Sequence, residues 1–271
     1  MSAARLSIFC LTLAALLMEV GVMGAHSGAI APRMGFAAFL TGGATAIAAS
    51  LFGLVGTFRT AAPGCRPWRA EAAVGLALGV LIAVPAGLAM WRWYSMGYPS
   101  INDITTDYDD PPLFVDPPGL SVTSTKYDRA RLAPIQARYY PTLRALRLDE
   151  KPDDAFARVE AAAGVAHFVG RQIATQIPAA VPGWSIVYID PATRTLEGVE
   201  TSYLFHFRDD FVILVRPGPD ANSSLVQMRS RSRHGRSDFG ANYNRIREFF
   251  GMLKPAGDSR AAAATTGEPP G

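Results

Sequence analysis

The stretch "RSRSRHGRSDFGANYNRIREFF", Arg229–Phe250, decides how the second half of this chain folds. It packs six arginines into nineteen residues and then turns amphipathic. In a strand, residues two apart share a face. Arg229, Arg231 and Arg233 therefore project to one side. Val226, Met228, Ser230 and Ser232 project to the other, the side expected to meet a core. Gly235 ends the strand. Ser237 or Asp238 is placed to cap a following helix through its free N–H groups. That helix, Ala241–Leu253, carries Tyr243, Ile246, Phe249, Phe250 and Leu253 on one side.

Working upstream, period-two segments recur. "WSIVYID" (184–190), "TLEGVETSYLFHF" (195–207), "FVILVR" (211–216) and "SLVQMRSRSR" (224–233) predict four strands. Pro191-Ala192-Thr193, Arg208-Asp209-Asp210 and Pro217-Gly218-Pro219-Asp220 read as the turns between them. Links this short imply an antiparallel meander. Asp153 and Asp154 after Pro152 open a helix that runs through Ala163, with further turns from Val165 to Gln176. Leu132–Leu148 reads as irregular to helical, broken at Pro134 and Pro141. The expectation is an α+β domain over residues 98–255: helices, a four-stranded antiparallel sheet and a closing helix. The tail 256–271 has nothing to bury and is expected to be disordered.

The first 97 residues are different. Leu6–Gly24, Met34–Phe58 and Ala72–Trp91 are long and apolar, and a bilayer core of about 30 Å takes about 20 helical residues. Trp91, Trp93 and Tyr94 form an interfacial anchor. The first span holds one acid, Glu19, which fits an uncleaved helix better than a removable signal peptide. Pro85 predicts a kink in the third span. Arg5, Arg59, Arg66 and Arg69 lie on one side of the membrane, Arg33 and Arg92 on the other. The positive-inside rule puts the first group in the cytoplasm and everything after Trp93 outside, in the periplasm of a bacterial envelope. Small residues recur every fourth position (Gly42, Ala46, Ser50; Gly75, Gly79, Ala83, Gly87). They suit packing within a three-helix anchor, with homodimer formation as the alternative.

Charge and composition exclude several functions. The net charge is +3, but residues 98–255 hold equal numbers of basic and acidic side chains, so nucleic acid is not an expected partner. Both cysteines, Cys10 and Cys65, precede the domain, which leaves it without a thiolate nucleophile or zinc thiolates. His26, His167, His206 and His234 are scattered, so no metal and no cofactor is expected. No nucleophile motif is present, and the reading leans away from an enzyme.

"INDITTD", "ARYYP", "FHFRDDFVILVR" and above all "MRSRSRHGRSDFGANYNRIREF" resemble the uncharacterised family called domain of unknown function 1499, over about residues 98–254. The resemblance implies a bacterial, often membrane-anchored protein with relatives in plastids, and implies no activity. His234 stands where relatives more often carry an apolar residue.

Two readings of the arginines stay open. In one, Arg229, Arg231, Arg233 and Arg245 converge on the helix N-terminus with Ser237, Asp238 and Asn242 and hold an anionic small molecule or lipid headgroup. In the other, the acidic lead-in Asn102, Asp103, Asp107, Asp109 and Asp110 folds back and neutralises them, with Glu197 and Glu200 taking further ones. The corresponding functions are an anion-binding protein or enzyme, and a membrane-tethered binding or scaffold module with an envelope protein partner.

Overall fold

The computed structural model describes residues 2–60, 66–115, 126–172 and 183–254, with 66–67 and 165–172 as backbone only. The tail beyond 255, the linker around Asp116 and the segment 173–182 lie outside the described residues. The chain divides into two units, residues 1–97 with Tyr203–His206, and the remainder.

In the first unit, α1 (Ala3–His26), α2 (Pro32–Arg59) and α3 (Arg66–Ser95) enclose the three apolar spans. All three helices are long and apolar enough to cross a membrane. Their buried positions are small. α1 buries Ala4, Ser7, Ala14, Gly21 and Ala25; α2 buries Gly35, Gly42, Ala46, Ala49, Gly53 and Gly56. Large side chains such as Phe9, Leu16, Leu51, Phe58 and Leu81 point outward. That inversion of a soluble bundle suits a lipid surround, where association rests on close backbone approach. A Cβ on Gly21 would sit 2.5 Å from the Gly35 carbonyl oxygen, and one on Gly79 2.4 Å from Ser50 Oγ. Ser7 donates a buried 2.7 Å hydrogen bond to the Ala49 carbonyl. The four-residue ridges are thus used inside the bundle, although a Cβ on Gly87 would meet open space. α3 runs as one helix through Pro85. Phe205, from the four-residue segment grouped here, packs edge-on against Phe36 and Phe39 at ring distances of 5.3 and 5.6 Å.

The second unit is an α+β domain. Its strands are β1 (Asp103–Thr105), β2 (Leu146–Leu148), β3 (Gly183–Asp190), β4 (Thr195–Thr201), β5 (Arg208–Pro217) and β6 (Ser224–Ser232). Its helices are α4 (Arg129–Tyr139), α5 (Pro152–Gln172) and α6 (Ala241–Leu253). The sheet order is β1-β6-β5-β4-β3, with β2 also on β6, and every pairing is antiparallel. The sheet therefore has six strands, not the four expected. The predicted meander is present as β3–β6. The two additional strands are three residues each, too short to display a period, and each pairs with a partner far along the chain.

Three smaller differences bear on the site. β4 stops at Thr201 rather than running to Phe207, and β5 begins at Arg208, so Asp209 and Asp210 are strand residues and not a turn. α4 forms from Arg129 through Pro134, capped by Asp128. α5 continues as one helix to Gln172.

One face of the sheet, carrying Val226, Met228, Phe211, Ile213, Val215, Leu196 and Trp184, builds the core with Phe156 and Val159 of α5 and Ile246, Phe249 and Leu253 of α6. Gly198 leaves the space that Phe211 fills: a Cβ there would lie 2.2 Å from Phe211 Cζ. Phe211 in turn packs at 4.3 Å against Trp184.

Candidate functional site

β6 is paired along both edges, with β5 on one side and β1 with β2 on the other, so it lies inside the sheet. Its odd-numbered arginines and the even-numbered residues beside them therefore belong to two different environments, on opposite sides of one strand.

On the odd face, Arg229 is 0% exposed. Its Nε and Nη2 donate to the two carboxylate oxygens of Asp103 at 2.9 and 2.8 Å. Nη1 donates to the Pro112 carbonyl at 3.4 Å. The Phe114 and Tyr127 rings flank the guanidinium at 5.1 and 5.3 Å. The register explains the pairing, because Asp103 stands opposite Arg231 and one step diagonal to Arg229. Arg231 lies 4.0 Å from the same carboxylate and keeps 26% of its side chain exposed. Arg233 makes a forked contact with Asp210, with Nη2 to Oδ1 at 2.6 Å and Nε to Oδ2 at 2.9 Å. Burial and the Asp103 charge push the Tyr127 phenol well above its ordinary range.

On the even face, α6 brings Arg245 against Ser230. Its Nη1 donates to Ser230 Oγ at 2.6 Å and to Asn242 Oδ1 at 2.5 Å, its Nη2 to Asp209 Oδ2 at 2.7 Å, and its Nε to Glu200. Burial is the largest influence on this guanidinium and pulls its pKa down. Glu200 and Asp209 together outweigh it, and the net direction is up. Asn242 also donates to the Asn102 carbonyl at 3.2 Å and to Ser232 Oγ at 3.1 Å. Asn102 in turn donates to the carbonyls of Ser232 and Gly235.

The start of α6 is closed from inside. Asp238 accepts from the Gly240 amide at 2.9 Å and the Asn242 amide at 3.1 Å. Gly240 has φ +81°, and a Cβ there would lie 2.3 Å from the Tyr98 ring, so glycine is required twice over. Burial raises the Asp238 carboxyl pKa against the pull of its two amide bonds. Ser237 donates to the Pro99 carbonyl at 3.2 Å.

Of the residues singled out from sequence, the structure joins Asp103 with Arg229 and Arg231, and Asn102, Asn242 and Arg245 with one another. It does not bring Arg245 to Arg229, Arg231 and Arg233, since the sheet stands between them. Asp107 accepts from Gln227 at 2.8 Å, Asp109 meets Arg129 and Asp110 meets Arg216. Arg216 holds the Asp110 carboxyl below its usual range, by hydrogen bond and charge. Glu200 takes Arg245, and Glu197 accepts from the Val115 amide.

Sequence reasoning missed Asp209 and Asp210 as partners of Arg245 and Arg233. The available signal was the antiparallel match of "RDD" with "RSR" across β5 and β6. Phe114 and Tyr127 gave no signal, because their role arises only in the tertiary structure. A surface cavity of about 510 Å³ is lined by Pro99, Ser100, Pro134, Ile135, Arg138 and Tyr139, and none of the predicted site residues is among them. Chemically, the arrangement joins buried charges of opposite sign. An anion entering at Arg229 or Arg233 would have to displace a carboxylate in forked contact, and one entering at Arg245 would have to displace Glu200 or Asp209.

A family profile described as "Protein of unknown function (DUF1499)" matches residues 103–253. No curated protein and no solved structure matches the chain.

Proposed function

We propose, for a chain that belongs to the domain of unknown function 1499 family, that it is a membrane-tethered module of the bacterial envelope. Its second unit lies in the periplasm and works as a binding or scaffold domain rather than as an enzyme. The observation that carries this reading is the Arg229–Asp103 pair: a guanidinium with no solvent exposure, forked onto a carboxylate and flanked by two aromatic rings. The lead-in and the arginine strand thus satisfy each other, and the motif with which the chain most resembles its family holds the domain together. Three helices long and apolar enough to cross a bilayer support the tether. The bias of Arg5, Arg59, Arg66 and Arg69 against Arg33 and Arg92 supports the orientation.

Two measurements test it. A reporter active only in the periplasm, fused after Lys254, is expected to be active; activity of a cytoplasmic reporter there reverses the topology. A thermal-shift series on the full chain in micelles, with phosphorylated and carboxylated metabolites, is expected to give no shift that depends on Arg229 or Arg245. Such a shift would move the reading to an anion-binding protein.

A further inference from the structure

At one end of the apolar unit its three helices come level. A Cβ on Gly56 of α2 would lie 2.8 Å from Ala72 Cβ of α3 and 3.3 Å from the Ala4 amide nitrogen of α1. Beside that layer α1 presents Arg5 and α3 presents Glu71. The two line one cavity of about 510 Å³ together with Ile8, Ala70 and Val74. The helical repeat sorts these residues by depth. Ile8 and Val74 follow Arg5 and Glu71 by three positions, so they lie about 4.5 Å further along their helices. The cavity thus has a cation and an acid at its mouth and apolar walls below them.

Neither charge is matched among the described residues: the side chains of Arg5 and Glu71 make no ion pair or hydrogen bond there. The Arg5 guanidinium lies 4.3 Å over the Trp68 ring. Stacking occupies the face of the guanidinium and leaves its in-plane N–H donors for an oxyanion. Glu71 is half-buried, near the start of a candidate span that opens at Trp68. An acid at that depth calls for a cationic partner. A tryptophan beside it suits the interfacial layer, where lipid headgroups lie.

We propose that this cavity binds the headgroup of phosphatidylethanolamine, a phosphodiester joined to a primary ammonium. The phosphate sits on the Arg5 fork, the ammonium donates to the Glu71 carboxylate, and the acyl chains run past Ile8 and Val74. The two charges select this headgroup over its relatives. Choline carries a quaternary ammonium that donates no hydrogen bond. Phosphatidylglycerol brings no cation and sets its negative charge beside Glu71. The inference rests on the membrane-tethered reading for the bilayer and holds for either orientation of the helices.

The test measures lipid binding to the full chain in uncharged detergent micelles by native mass spectrometry. Phosphatidylethanolamine, phosphatidylcholine and phosphatidylglycerol are compared with identical acyl chains. Phosphatidylethanolamine is expected to bind most tightly. Glu71→Gln is expected to lower its affinity about tenfold, the order of one charge-assisted hydrogen bond, and so bring it to the phosphatidylcholine level. Glu71→Asp keeps the charge and is expected to keep the preference, which separates loss of the carboxylate from loss of the fold. Arg5→Gln is expected to weaken phosphatidylethanolamine and phosphatidylcholine together. Circular dichroism of the Glu71→Gln chain should match the parent. Equal affinity for the three lipids overturns the proposal. So does a phosphatidylethanolamine preference that survives Glu71→Gln, or a preference for phosphatidylglycerol. The tether fails separately. A chain released from membranes by alkaline carbonate would sink that reading and this one with it. A membrane-retained chain with no headgroup preference sinks this one alone.

Discussion

Arg229 and Asp103 share a site with almost no water beside either charge, and this fixes what each substitution should do. Removing one member strands the other, which costs about 3–5 kcal/mol. Arg229→Ala and Asp103→Ala are each expected to lower the denaturation midpoint of the full chain in micelles by that order. A double-mutant cycle should show strong coupling, because the second substitution removes a charge already orphaned. Additive losses would mean that the pair does not act as a unit. Asp238 makes a different prediction. Its folded pKa is raised by burial, so the folded state holds the proton more tightly than the unfolded one. Relative to Asp238→Asn, the parent should therefore gain stability as pH falls from neutrality to about 4, the ordinary carboxylate range. A gain on raising the pH would reverse the sign. Asp238→Ala, which removes the acceptor for two amides, should cost about 0.5–2 kcal/mol at neutral pH.

At the level of elements, β3 to β6 were legible because each is seven to ten residues long and follows the last across a short link. β1 and β2 were not, since three residues carry no period and their pairing with β6 is set by distant contacts. "RDD" was misread for a physical reason: aspartate favours turns, and only the register opposite Ser232 and Arg231 makes it strand. The charge match between lead-in and arginine strand was visible in the sequence. The separation of Arg245 from the arginine row was not, because strand alternation does not say which face a later helix will cover. Close approach sets two further expectations. Gly198→Ala puts a methyl into the Phe211 ring and should cost about 1–3 kcal/mol in denaturant unfolding. Gly21→Leu should separate α1 from α2, read as a lower melting temperature of the micelle-bound bundle, since the Gly35 backbone cannot yield as a side chain would.

At the level of the whole molecule, the second unit has its own core and its own ion pairs. Residues 98–255, expressed alone, are expected to unfold in one cooperative transition in denaturant, with Tyr203 and Leu204 as an exposed apolar tip. A chain that dissolves only in detergent would place part of that core in the helices. The Arg229–Asp103 pair also has a consequence in time. The partners are 126 positions apart, and the carboxylate is synthesised first. A nascent chain therefore emerges with Asp103 unmatched until the last strand is made, whereas Asp109 and Asp110 meet Arg129 and Arg216 earlier. Pairing of this separation closes slowly. Every truncation that stops before Ser224 leaves Asp103 without its mate, so maturation of the domain waits on synthesis of β6.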